Sequence, residues 1–215
     1  MQIAVMHNVP SSQGKRAVLS ETIGIRRFER ADETVLYDAV RESLPELTSW
    51  MAWCHLDYSQ ENAAAFLARH DELWQAKERY DLAIFHRPNG TLLGSVGLSQ
   101  LDWQNRTANI GYWVRTQWHN QGIGRAAIRF AAHFAFEALG LTRLEFVIQT
   151  SNLASLHAAR RAGAVQEGVL RNRLVLRGKT YDAVVLSLIP DCLEREEPAV
   201  ARAGRCASTD SIRVM

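Results

Sequence analysis

The chain has 215 residues, 47% of them hydrophobic, with 25 Lys and Arg against 23 Asp and Glu and a formal net charge of +2. That balance argues against a nucleic-acid backbone as main partner and against a charged, disordered chain. The opening MQIAVMHNVPSSQGKR lacks the apolar core of a secretory signal, no run is long enough to span a bilayer, and Cys54, Cys192 and Cys206 lie far apart, so the expectation is a soluble cytoplasmic domain with reduced thiols, no membrane and no metal.

In chain order, residues 1–18 read as a polar N-terminal extension. TIGIRRF (22–28) is a first strand. Asp32 caps a helix through VLYDAVRESL, and the Trp-rich ELTSWMAW (46–53) follows. Ser59 caps a second helix with Ala64, Phe66, Leu67, Leu73 and Trp74 as its apolar stripe. DLAIFH (81–86), a Pro-Asn-Gly turn at 88–90, LLGSVGLS (92–99), a turn at 102–105 and ANIGYWV (108–114) make an antiparallel meander. Ile128, Ala131, Ala132, Ala135, Phe136 and Leu139 share one face of a helix that Gly140 stops. After the strand RLEFVIQ (143–149), Asn152 opens a short helix ending at Gly163. Strands near 165–176 and 180–189 turn at Arg177, Gly178 and Lys179, and Pro190 ends the last of them. Residues 191–215 show no periodicity and read as a mobile tail. The domain at 19–190 is therefore α/β (α+β), a mixed layer fold.

WVRTQWHNQGIGRAAIRF (113–130) joins a strand to a helix through a glycine loop. Such a junction collects backbone N–H groups at the positive end of the helix dipole and suits an anion. Asn120 tolerates left-handed backbone, and Arg125 and Arg129, unfavourable against the dipole, would be relieved by an anionic ligand. Gly122, Gly124 and Ala127 also satisfy the dinucleotide pattern G-x-G-x-x-G/A. That reading fails, because TQWHNQ separates the loop from its strand, no acidic residue closes the next strand, and further βα units are missing.

From about 20 to 190 the chain resembles the GNAT superfamily of acyl-CoA-dependent N-acetyltransferases, in its RimJ/RimL-type branch, which acetylates protein N-termini, notably of ribosomal proteins. The motifs carrying the resemblance are SWMAW, GLSQLDWQNRTANIGYWV, HNQGIG, SNLASLHAARRAGA and EGVLRNRLVLRGKTYD. It implies a mixed central sheet with splayed strands and helices on both faces. Acetyl-CoA would be the cosubstrate, held at its pyrophosphate by His119, Asn120, Gln121, Gly122, Ile123, Gly124 and Arg125. His119 stands for the usual Arg or Gln, and Asn120 where the branch often has Gly. The pantetheine arm would lie along Tyr112, Trp113 and Val114, between 108–114 and 143–149, with Gly111 as the bend. Asn152 and Ser155 match the branch's Asn-x-x-Ser. Many members place a tyrosine at the position of Ala159 to protonate the leaving thiolate; here Ser155 takes that role as the catalytic residue. Trp50 and Trp53, with Met51 between them, lie on the segment that walls the acceptor cleft.

Both carboxylates expected of the branch are missing, replaced by Asn109 and Leu174. Glu145, Asp102, Asp182 and His119 remain as substitute bases. A base-poor site suits an acceptor amine of low pKa, so the reading is direct attack by a protein N-terminal α-amine, with the oxyanion held by N–H groups of 108–114. The alternatives are a small amine such as an antibiotic or polyamine, for which Glu46, Asp57 and Glu61 would be the acidic contacts, and a non-catalytic acyl-CoA-binding module. The assembly is a monomer or a homodimer.

Overall fold

The computed structural model describes residues 22–194. The N-terminal extension and the tail beyond Glu194 lie outside the described residues. In order come β1 (Ile23–Arg27), α1 (Glu33–Glu42), α2 (Leu44–Trp50), α3 (Gln60–Gln75), β2 (Tyr80–His86), β3 (Leu92–Asp102) and β4 (Thr107–Val114). There follow α4 (Ile123–His133), β5 (Arg143–Gln149), α5 (Leu153–Arg161), β6 (Val165–Leu176), β7 (Lys179–Leu188) and α6 (Pro190–Glu194).

The seven strands form one sheet in the order β1-β2-β3-β4-β5-β7-β6. Every neighbouring pair is antiparallel except β4 and β5. The parallel pair holds for three residues only, Thr107 with Arg143, Ala108 with Leu144 and Asn109 with Glu145. Beyond Asn109 the two strands diverge. Two apolar clusters explain why both faces are covered. Ile84, Val96, Leu98, Ile128, Leu144, Phe146 and Leu186 pack with α4 and α5 on one face. Phe28, Val40, Leu67, Leu92 and Trp113 pack with α1, α2 and α3 on the other. The helices thus sit on both faces of a mixed sheet, as the resemblance implied.

Several local expectations shift. Asp32 stands at the start of α1 without capping it; its carboxylate accepts the Glu29 N–H at 2.8 Å and grips the Arg26 guanidinium. The buried stripe of α3 runs through Ala63, Leu67 and His70, with Ala64 only half-buried. His70 is admitted because its Nε2 lies 3.0 Å from the Asp81 carbonyl. After His133 the α4 helix widens into a π turn over Phe134–Ala138, closed by Leu139 N–H donating to the Phe134 carbonyl at 3.2 Å. Pro190 ends β7 and also begins α6, which buries Leu193 in the first cluster, so residues 191–194 belong to the folded part. Gly111 pairs in regular register with Gly97, two residues past the point where β4 parts from β5. The irregularity is on the partner strand, between Ser99 and Asp102, where Gln100 takes φ 51°.

Candidate functional site: a glycine loop at the mouth of two diverging strands

The loop leaves β4 at Val114, makes a single 3-10 turn over Thr116–Trp118, and enters α4 through Gly122. Asn120 has φ 59°, the left-handed conformation its short amide tolerates. Gly122 caps the helix at φ 81°, where a Cβ would be strained. Gly124 has a different reason to be glycine: a Cβ there would sit 2.9 Å from Tyr112 Cε2. Among the described residues, the backbone N–H groups of residues 120–124 find no acceptor. A row of unanswered donors at a helix N-terminus is a site for an oxyanion such as a diphosphate.

His119 fastens this loop. Its Nε2 donates to the Val114 carbonyl at 2.7 Å, and its Nδ1 lies 3.4 Å from Glu46 Oε1 on α2. Glu42 reinforces the seam, accepting from Arg115 Nε at 2.8 Å and from Gln117 at 3.1 Å. The Ser43 hydroxyl accepts the Thr116 N–H at 3.2 Å. Arg125 sits half-buried in the first turn of α4. Arg129 lies one turn later and donates to the Leu193 carbonyl at 3.3 Å, which ties it to α6.

Tyr112 spans the opening between the diverging strands. Its hydroxyl donates to the Ser155 carbonyl at 3.3 Å, and burial pushes its pKa up, so it stays a neutral phenol. Val114 shares its face of β4, while Trp113 points to the opposite face, into the second cluster, 6.5 Å from the Trp53 ring. Asn152 caps α5 with its side-chain oxygen, accepting the Ser155 N–H at 3.1 Å. Ser155 is partly exposed in that first turn. Ala159 is fully buried, so no hydroxyl reaches the opening from that position.

Trp50 ends α2 half-buried, Met51 packs on the second cluster, and Trp53 is 43% exposed, edge-on to Tyr58 at 6.1 Å. The aromatic wall therefore lies on the α1–α3 side of the sheet, which Asn109 and Trp113 also face.

None of the four substitute bases stands idle. Arg143 grips Glu145, with Nε at 3.0 Å, and reaches Glu167 at 2.7 Å. Asp102 closes its own turn on the Asn105 N–H at 2.9 Å, which lowers its pKa. Asp182 accepts the Asn172 N–H at 2.9 Å and so anchors the irregular stretch of β6, while His119 is spent on Val114. Glu167 was invisible from sequence, since its partners Arg143 and Ser187 come from other strands. Arg143, and then the Ser187 hydroxyl at 2.7 Å, hold its carboxyl down at about 2. A carboxyl lowered by folding adds stability above its ordinary range, and that stability is lost as the pH falls through its folded pKa. Glu167→Gln should therefore unfold more easily than the parent at pH 6, by about 1 kcal/mol or less for so exposed a pair, and the two should converge near pH 2. Urea titrations across that window check it.

A mixed sheet whose single parallel pair opens toward a glycine loop is the arrangement that the resemblance implied. The family model described as an acetyltransferase (GNAT) domain matches residues 22–165, and the chain belongs to that family. It is 28% identical over 177 residues to YdaF of Bacillus subtilis (strain 168), covering 80% of this chain and 93% of that one; YdaF is provisionally named a ribosomal N-acetyltransferase. It is 24% identical over 168 residues to the ribosomal-protein-serine acetyltransferase of Escherichia coli (strain K12), with 78% and 92% covered. In fold it matches RimL, the ribosomal L7/L12 α-N-protein acetyltransferase solved with coenzyme A, at a TM-score of 0.74 with 23% identity over 81% of this chain and 97% of that one. The enzyme is thus an N-acetyltransferase. Among the described residues no cluster of His, Cys, Asp or Glu is placed to hold a metal, and no helix is long and apolar enough to cross a membrane.

Proposed function

We propose that the protein transfers the acetyl group of acetyl-CoA to the α-amine of a protein N-terminus, of the kind carried by ribosomal proteins. Acetyl-CoA would supply an activated thioester. The N–H groups of residues 120–124 would hold its pyrophosphate, Gly124 letting it approach beside Tyr112. The strand edge at Tyr112, Trp113 and Val114 would meet the pantetheine arm with backbone groups that β5 leaves unpaired. At the far end of that edge, Asn152 would orient the first turn of α5 so that the Ser155 hydroxyl meets the departing sulfur, passing it a proton as the C–S bond breaks and regaining one from the nitrogen of the new amide.

One observation carries the choice of acceptor: all three carboxylates that the sequence offered as substitute bases are engaged, Glu145 by Arg143, Asp102 by Asn105 and Asp182 by Asn172. An acceptor must then lose its proton to solvent, without a base from the enzyme. An α-amine with a pKa near 8 does so at about 3.5 kcal/mol less cost than a lysine near 10.4. The same contacts count against a polyamine. Glu46 accepts from Thr116 at 3.3 Å and faces His119, which leaves Asp57 and Glu61, both exposed, of the three acidic contacts. Initial rates at pH 7 with a serine-led peptide and with spermidine test the reading. Faster turnover of the peptide is the expected result. Faster turnover of spermidine would replace the reading, and binding of acetyl-CoA without turnover of either would leave a binding module.

A further inference from the structure

The two-residue turn between β6 and β7 consists of Arg177 at φ 49° and Gly178 at φ 74°. Positive φ at both central positions is a type I′ turn, for which Asn-Gly is the favoured pair. Arginine is a poor occupant, since a side chain of its kind is strained in the left-handed region. Yet its guanidinium is put to use elsewhere. One Nη donates to the Thr48 carbonyl and the other to the Cys54 carbonyl at 3.0 Å, across 129 and 123 residues of sequence.

These two carbonyls bracket the segment that carries Trp50 and Trp53. Thr48 lies in the last turn of α2, whose carbonyls have no partner within the helix and whose dipole welcomes a cation. Cys54 is buried in the second cluster, so the other prong grips a fixed point. An open depression of about 540 Å3 lies beside the bridge, lined by Thr48, Ser49, His55, Leu56, Asp57 and Arg177. We infer that Arg177 is a positioning residue for the acceptor: it pins the tryptophan-bearing wall to the β6–β7 hairpin and sets the width of the channel along which the acceptor chain runs. This rests on the reading of that face as the acceptor side.

Two substitutions separate this from a merely structural role. Arg177→Asn relieves the turn and removes the bridge, so a structural account expects a neutral or more stable protein with unchanged kinetics. Arg177→Lys keeps a cation and the strain, but a single ammonium cannot span two carbonyls as the planar fork does. The inference expects Arg177→Asn to raise KM for the peptide about tenfold with kcat, acetyl-CoA affinity and Tm preserved, because a displaced wall loses binding that the ground and transition states share. It also expects faster amide exchange across residues 48–58, and an intermediate KM for Arg177→Lys. An unchanged peptide KM in Arg177→Asn would overturn it, whatever the exchange data. A parent enzyme that turns over spermidine and no peptide would overturn the acceptor reading itself, which is a distinct result.

Discussion

Gly124→Val should bind acetyl-CoA about 100-fold more weakly than the parent enzyme. The branched side chain begins where a Cβ would already be 2.9 Å from Tyr112 Cε2. The ring has little freedom to withdraw, because it packs on the first cluster and its hydroxyl is bonded to the Ser155 carbonyl. Overpacking of this kind costs about 1–3 kcal/mol, and if that is expressed in ligand affinity it amounts to roughly 5- to 150-fold. The upper part of the range applies because the same methyl groups would also stand over the free N–H groups of residues 120–124. Titration calorimetry reads the affinity, and the unliganded Tm reports how much of the strain falls on the fold instead. Binding within about threefold of the parent would show that the ligand does not approach the loop at Gly124.

Ser155→Ala should lower kcat about 100-fold at pH 7 and leave both KM values nearly unchanged, the order expected when a group that protonates a leaving atom is removed. The cap is not disturbed, since it uses the Ser155 N–H and the Asn152 side chain. The pH dependence carries the sharper test. A thiol has an ordinary pKa near 8.5, so above that pH the sulfur can depart as thiolate without a proton. The defect should therefore shrink as the pH rises from 7 to 10. A rate ratio near one at pH 7, or a large ratio that does not change with pH, would remove Ser155 from the protonation step.

Much of the site was legible because its signals are local. The left-handed φ of Asn120 and Gly122, the cap at Asn152 and the glycine stop at Gly140 each follow from one residue's covalent geometry, and the structure repeats them. The strand runs fell in place for a similar reason: turn residues bracket alternating or continuous apolar segments. What did not show were relations between distant residues. Nothing near Glu145 or Glu167 announces that Arg143 and Ser187 will meet them through strand neighbours. Nothing near Arg177 points to α2.

The misplaced details have the same origin. The register shift between β3 and β4 arises around Gln100, which no sequence signal marked. The α3 stripe kept Leu67, with Phe66 and Trp74 packed beside it, but buried Ala63 in place of Ala64 and added His70, whose ring is satisfied on the Asp81 carbonyl, a partner that hydropathy does not see. Trp113 is a different case: named with Tyr112 and Val114 along the strand edge, it turns its ring into the second cluster, because successive residues of a strand face opposite ways. Its backbone is what the proposed cofactor edge would use.

The central claim is that a base-poor opening, fed by acetyl-CoA held on the glycine loop, selects an amine by its own pKa. One peptide with a free N-terminal serine and an internal lysine tests this directly, incubated with enzyme and acetyl-CoA at pH 7 and mapped by mass spectrometry. The account predicts acetyl on the α-amine, with the lysine modified at least about tenfold more slowly, the lysine's disadvantage in deprotonation being about 3.5 kcal/mol. Acetylation mainly at the lysine would contradict it, and would mean that one of the engaged carboxylates is released to act as a base.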